Sequence, residues 1–174
     1  MNARHTLALA LAAAAAATTV VLGAAIAPFS AWASDDAPAT PPARAAAADK
    51  LGQARTLIAA RQWSAALDEL RRVNDSGSAD WNNLMGFVLR KGKTPDLAAS
   101  EKYYDAALRI DPHHRNTLEY SGELFLMKGE LPKAQARLAT LATECGPSCE
   151  QYGELKAAID RYKAAGNKYV STGW

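Results

Sequence analysis

Cysteine, aromatic side chains and charge of one sign are all scarce in this sequence, and each shortage removes a class of protein. Two cysteines in 174 residues are too few to staple a domain together, so the chain must hold itself with a packed interior. Against 20 Lys plus Arg stand 18 Asp plus Glu, a formal +2, so no basic field points to nucleic acid or to an anionic membrane surface. No nucleophile elbow, phosphate-binding loop, HExxH or dinucleotide signature occurs, and no enzymatic activity is expected. Phe, Trp and Tyr supply only 7% of the residues, while the hydrophobic 49% is filled largely by alanine. An alanine-rich, aromatic-poor chain suits helices packed closely.

The first 33 residues have the layout of an export signal. Arg4 is followed by an apolar run through Ile26 and by Ala31-Trp32-Ala33, small residues at the two positions that a signal peptidase accommodates. Cleavage after Ala33 is expected, with delivery to the periplasm or outside the cell; an uncleaved segment would be a membrane anchor, since the run is close to the length of a spanning helix. Residues 34–47 carry Pro38, Pro41 and Pro42 with nothing larger than Ala to bury apart from Arg44, and read as a disordered tether. A helical domain is expected over 48–165 and a flexible tail over 166–174.

From Asp49 onward apolar residues recur at helical spacing in segments of about a dozen residues separated by Gly, Pro, Asn or Ser. Seven helices fit, and the short connections between them make helix hairpins of an all-α fold. Thr94-Pro95 reads as the start of the fourth helix, Ser148 with Gln151 as a capping box opening the seventh, and Asp68 with Arg72 as an exposed i,i+4 pair. Three columns then recur at an interval of 34: Ala66, Ser100 and Ala134; Leu70, Tyr104 and Leu138; Val73, Ala107 and Leu141. Small residues at Ala54, Gly86 and Gly122 allow close approach of neighbouring helices.

With these columns the chain resembles the tetratricopeptide repeat family over about Asp49 to Gly146. The third unit matches best, with Gly122, Phe125, Gly129, Leu131, Ala134, Leu138 and Leu141. In the second, the turn between Lys91 and Asp96 is about two residues longer than the family's, and Trp81 to Gly86 is spaced one residue too far. In the first, Arg61 stands where the family places a turn glycine. The resemblance implies a short α-solenoid of three hairpins. A final helix, with Tyr152, Leu155, Ile159 and Tyr162 inward and Glu154, Lys156, Asp160, Arg161 and Lys163 outward, would cap it.

The resemblance also implies a scaffold or adaptor that holds a protein or peptide in a concave groove. By register the groove residues are Arg55, Asn83, Phe87, Arg90, Asn116, Glu119, Glu123 and Met127, with Phe87 equally suited to the core. No cofactor is implied, and the set lacks the Lys, Asn, Lys and Arg combination with which some relatives clamp a terminal carboxylate. Arg90, Lys91 and Lys93 read as a solvated basic turn. His113-His114 lies a full repeat from either cysteine, so no metal site is expected.

Cys145-Gly-Pro-Ser-Cys149 is the one chemically distinctive group. In an exported protein two cysteines across a Gly-Pro turn are most simply a disulfide, worth about 2 kcal/mol by loop entropy. The competing reading is a thiol-disulfide or metal-handling protein, because Cys149 falls in the first turn of a helix, where the dipole favours a thiolate. Haem attachment is not expected, since Cys149 is followed by Glu150 and not by His.

Overall fold

The structure, a computed structural model, describes residues 49–171. The expected signal segment (1–33), its linker (34–47) and residues 172–174 lie outside the described residues. Among the described residues there are seven helices and no strand: α1 (Gly52–Ala59), α2 (Trp63–Val73), α3 (Ala79–Lys91), α4 (Leu97–Ile110), α5 (Arg115–Met127), α6 (Leu131–Glu144) and α7 (Glu150–Ala164). None is long and apolar enough to cross a membrane.

Side chains cap three of the described helices at their first turn. Ser78 and Asp96 cap α3 and α4 by accepting hydrogen bonds from the backbone N–H of Trp81 and Ala99, at 3.3 and 2.9 Å. The start expected at Thr94-Pro95 is therefore displaced to Asp96, whose carboxylate accepts from the free donor of the first turn. His114 caps α5 through Nδ1, which accepts from Thr117 N–H at 3.2 Å. At α7 the expected capping box is absent: Cys149 occupies the capping position, no side chain satisfies the first turn, and Ser148 lies one residue outside. On α2, Arg72 pairs with Glu69 and Arg71 with Asp68, both at i,i+3, in place of the expected Asp68–Arg72 pair.

Helices α1, α5 and α7 end alike. Gly129 and Gly166 take left-handed φ values of 77° and 68°, and Arg61 takes 56°. In each turn the left-handed residue donates to a carbonyl three residues back and its successor to one five back, the Schellman pattern. Arg61 thus adopts the glycine conformation without being glycine.

Every helix packs on its successor, and the alternate helices α3, α5 and α7 also pack on one another in that order. One apolar cluster joins α1, α2 and α3 through Ala54, Ala66, Leu70, Trp81 and Val88, and a second joins α5, α6 and α7 through Leu118, Phe125, Leu141, Leu155 and Ile159. Helix α4 lies between them: Ser100, Tyr104 and Ala107 are wholly buried, Tyr103 packs against the first cluster and Leu108 against the second. The inward residues of α7 include Leu155, Ile159 and Tyr162, with Tyr152 half-buried, and Tyr169 beyond it packs on the same cluster.

The small residues mark where backbones come close. A Cβ on Gly86 would stand 2.7 Å from the Tyr104 ring, and Ser100 Oγ donates to the Gly86 carbonyl at 2.7 Å. A Cβ on Gly122 would stand 2.5 Å from Leu155. Between α3 and α5 the 34-residue interval becomes contact. Thr117 Oγ1 donates to Asn83 Oδ1 at 3.0 Å, and His114 Nε2 donates to Asp80 Oδ1 at 3.0 Å, each pair 34 residues apart.

Candidate functional site

Because α3, α5 and α7 lie side by side, residues on one face of each line a common cavity of about 330 Å3. Helix α3 contributes Phe87, Arg90 and Lys91, α5 contributes Glu119, Tyr120 and Glu123, and α7 contributes Gly153, Glu154, Ala157 and Arg161. The spacings 87, 90, 91 and 119, 120, 123 are single helical faces, so the sequence places these side chains together once the three helices are aligned.

Arg90 is at the centre. Its side chain is only 1% exposed and pairs with Glu123 at 2.5 Å. Its guanidinium carbon lies 5.6 Å from the centre of the Phe87 ring and 5.7 Å from that of Tyr120. Burial alone would weaken its charge; Tyr104 and Glu123 beside it hold the guanidinium above its ordinary range. A cation taken out of water is tolerated only with such a partner and such ring faces around it. The two rings pack tilted at 4.7 Å between centres, and Trp63 meets Phe87 edge-on at 6.2 Å.

Glu119 is 4% exposed, and no donor among the described residues hydrogen-bonds to it. Burial, followed by the nearby Glu123, Glu154 and Glu150, pushes its carboxyl up to about 9 in spite of Arg90. Glu119 is therefore protonated at neutral pH. Glu154 is raised for the same reasons, burial first and then Glu150 and Glu123. Lys91, half-buried over the Phe87 ring at 5.9 Å, is lowered by burial and by Arg90.

Of the eight groove residues read from the sequence, Phe87, Arg90, Glu119 and Glu123 line this cavity, and Arg55, Asn83, Asn116 and Met127 do not. Arg55 is exposed on α1 and bonds Asp80 at 3.2 Å; Asn83 is buried under Thr117; Asn116 accepts from Gln151 at 2.9 Å; Met127 is half-buried near the end of α5. The expected solvated basic turn is corrected at Arg90, which points inward from the last turn of α3 and is buried, whereas Lys93 is exposed. Sequence reasoning also left out Tyr120 and the α7 wall. Glu154 and Arg161 are exposed as expected, but they face the cavity. Their spacing with Ala157, three and then four residues, was the available signal.

A broader depression of about 620 Å3 lies beside the α1–α2 turn, lined by Trp63, Leu67, Val88 and Leu89 with Arg61 and Lys93 at its margin. Cys145 and Cys149, at the α6–α7 junction, are at disulfide distance with Cα atoms 5.8 Å apart. Among the described residues no group of three or more His, Cys, Asp or Glu side chains could hold a metal ion. Comparison of the chain with protein-family models, with curated proteins and with solved structures finds no match in any of the three.

Proposed function

We propose that the protein is a non-enzymatic interaction scaffold, a short array of three tetratricopeptide-like hairpins closed by α7, that holds a protein or peptide segment across α3, α5 and α7. One observation carries the reading: α3, α5 and α7 line a single cavity, to which α3 brings Arg90, α5 brings Glu119 and Glu123, and α7 brings Glu154 and Arg161. A fold of this size gains nothing in stability from burying a guanidinium and two carboxyl groups in place of apolar side chains, so their retention favours a recognition role. The direct 34-residue contacts between α3 and α5 support the repeat. Polar groups held rigidly on helices recognise a partner at low ordering cost. The Cys145–Cys149 pair favours an oxidising compartment such as the periplasm.

The test is a binding assay between the full chain and an array of defined peptides, repeated with Phe87→Ala and Glu123→Lys. Loss of binding is expected in both and also in the exposed-wall variant Glu154→Lys, the last with the parent's melting temperature, since the first two also disturb buried contacts. Peptides that bind the variants as well as the parent would refute the groove.

A second reading has its own observation. Cys149 sits at the N-terminus of α7 with no other side chain capping it, the position at which a freed sulfur would be stabilised as thiolate. Under this reading the pair exchanges thiols with a client protein, and replacing both cysteines with serine abolishes client capture while leaving the melting temperature unchanged.

A further inference from the structure

We propose that the cavity between α3, α5 and α7 receives a side-chain cation of the partner, a lysine ammonium or an arginine guanidinium, seated against the Glu119 carboxyl. This rests on the groove reading above and names what the groove selects.

Glu119 lines the cavity, is almost wholly buried and has no hydrogen-bond donor among the described residues. A carboxyl that opens on a cavity with no donor of its own marks a place for an incoming one. The charges around it fix the sign of that donor. On its own helix, Glu123 lies one turn along and Tyr120 beside it; from α7 come Glu150 and Glu154, with Arg161 farther along the same face. Helix α3 brings Arg90, already engaged by Glu123, and Lys91, which lies over the Phe87 ring and feels the charge of both Glu119 and Glu123; α4 brings only the buried Tyr104 hydroxyl. Burial first, and then the repulsion of Glu123, Glu154 and Glu150, pushes the Glu119 carboxyl up in spite of Arg90. An anion would meet this repulsion; a cation relieves it.

The cation is organic rather than metallic, because no three of these carboxyl groups stand close enough to share one ion. An ammonium or guanidinium can be met instead by Glu119 with Glu154 on the facing wall. Seating it converts Glu119 to carboxylate, and the proton leaves to solvent, so binding releases a proton and strengthens as pH rises from 6 to 8.

The experiment uses the full chain and blocked peptides of ten residues in a positional scanning library, each position varied through Lys, Arg, Met, Gln and Glu. Support is a single position at which Lys or Arg binds about tenfold better than Met or Gln, with the preference abolished in Glu119→Gln and reduced in the exposed Glu154→Gln. Calorimetry of the best Lys peptide in two buffers of different ionisation enthalpy is expected to show release of close to one proton at pH 7 in the parent and none in Glu119→Gln. Peptides that bind with an acidic or apolar preference, and lose binding in Phe87→Ala, overturn the cation and leave the groove. Absence of binding to any peptide, or binding indifferent to Phe87→Ala, overturns both. A Lys preference without proton release places the cation elsewhere and overturns the role of Glu119.

Discussion

Replacing Gly122 by Ala adds a methyl group where none fits, and the cost depends on one neighbour. The new Cβ would lie 2.5, 2.6 and 3.1 Å from Leu155 Cδ2, Cδ1 and Cγ, and Leu155 has no solvent exposure into which it can retreat. Overpacking of this kind costs ~2–3 kcal/mol, while Ala in place of Gly within a helix returns ~1 kcal/mol. The net expectation is a loss of ~1–2 kcal/mol. Leu155→Ala alone leaves a cavity at the α5–α7 contact and is expected to cost ~3 kcal/mol. In the double variant the added methyl enters the space that Leu155 vacates, so the clash disappears while the propensity gain stays. The pair is then expected to lose only ~2 kcal/mol, a coupling of at least ~2 kcal/mol against the sum of the single changes. Urea denaturation followed by helical circular dichroism measures all four proteins, provided that the slope with denaturant stays constant. If the two changes add to within ~0.5 kcal/mol, Gly122 and Leu155 are not in contact and α7 does not close the domain as described.

Arg61→Gly removes a left-handed non-glycine residue from the α1–α2 turn and should stabilise the domain by up to ~1 kcal/mol, read as a rise in melting temperature; a fall would mean that the arginine side chain contributes more than the strain costs. Glu119 has an ordinary value of 4.5 and a folded value of about 9, so the folded state binds the extra proton and stability declines as pH climbs from about 4.5 to 9. Glu119→Gln should cancel this decline, gaining ~2–3 kcal/mol over the parent at pH 7 relative to pH 5 in denaturant titrations at the two pH values; parallel curves would show that the carboxyl is ionised when buried. Replacing Cys145 and Cys149 by serine opens a five-residue loop and should cost ~2 kcal/mol with the helix content retained, checked by thermal melts with and without reductant; equal melting of parent and variant would remove any staple at the α6–α7 junction.

The helices were readable because their apolar stripes repeat every three to four residues between strong breakers such as Asn74, Lys128-Gly129 and Gly166. Their first residues were less so. Thr94, Asp96, Ser148 and His114 can all accept a hydrogen bond from a free backbone donor, and which one does so depends on the path of the incoming loop rather than on residue type. Within the site, Phe87, Arg90, Glu119 and Glu123 came from the register that the repeat resemblance implies, and helical spacing then sets each pair on one face of its helix. Asn83 misled because an amide at an inward position can bond a neighbouring helix as well as a ligand, and here Thr117 takes it. Arg90 sits next to Lys91 and near Lys93, so local sequence reads as a charged turn; only the approach of α5 reveals that one of the three cations is enclosed. The α7 residues were hidden by the polar pattern of an outer cover, which is indistinguishable in sequence from the wall of a polar cavity.

Helix α4 touches both apolar clusters, and the consequence concerns how the domain comes apart. Neither half owns its wall: α1 to α3 lean on Tyr103 and α5 to α7 on Leu108, with Tyr104 and Ser100 sealing the join beneath Gly86. A nick or a helix-breaking insertion between Asp96 and Asp111 therefore melts both ends at once, whereas damage near Gly52 frays a single edge. Slowest amide exchange should accordingly centre on Ser100 to Ala107, midway along the array and far from either of its ends.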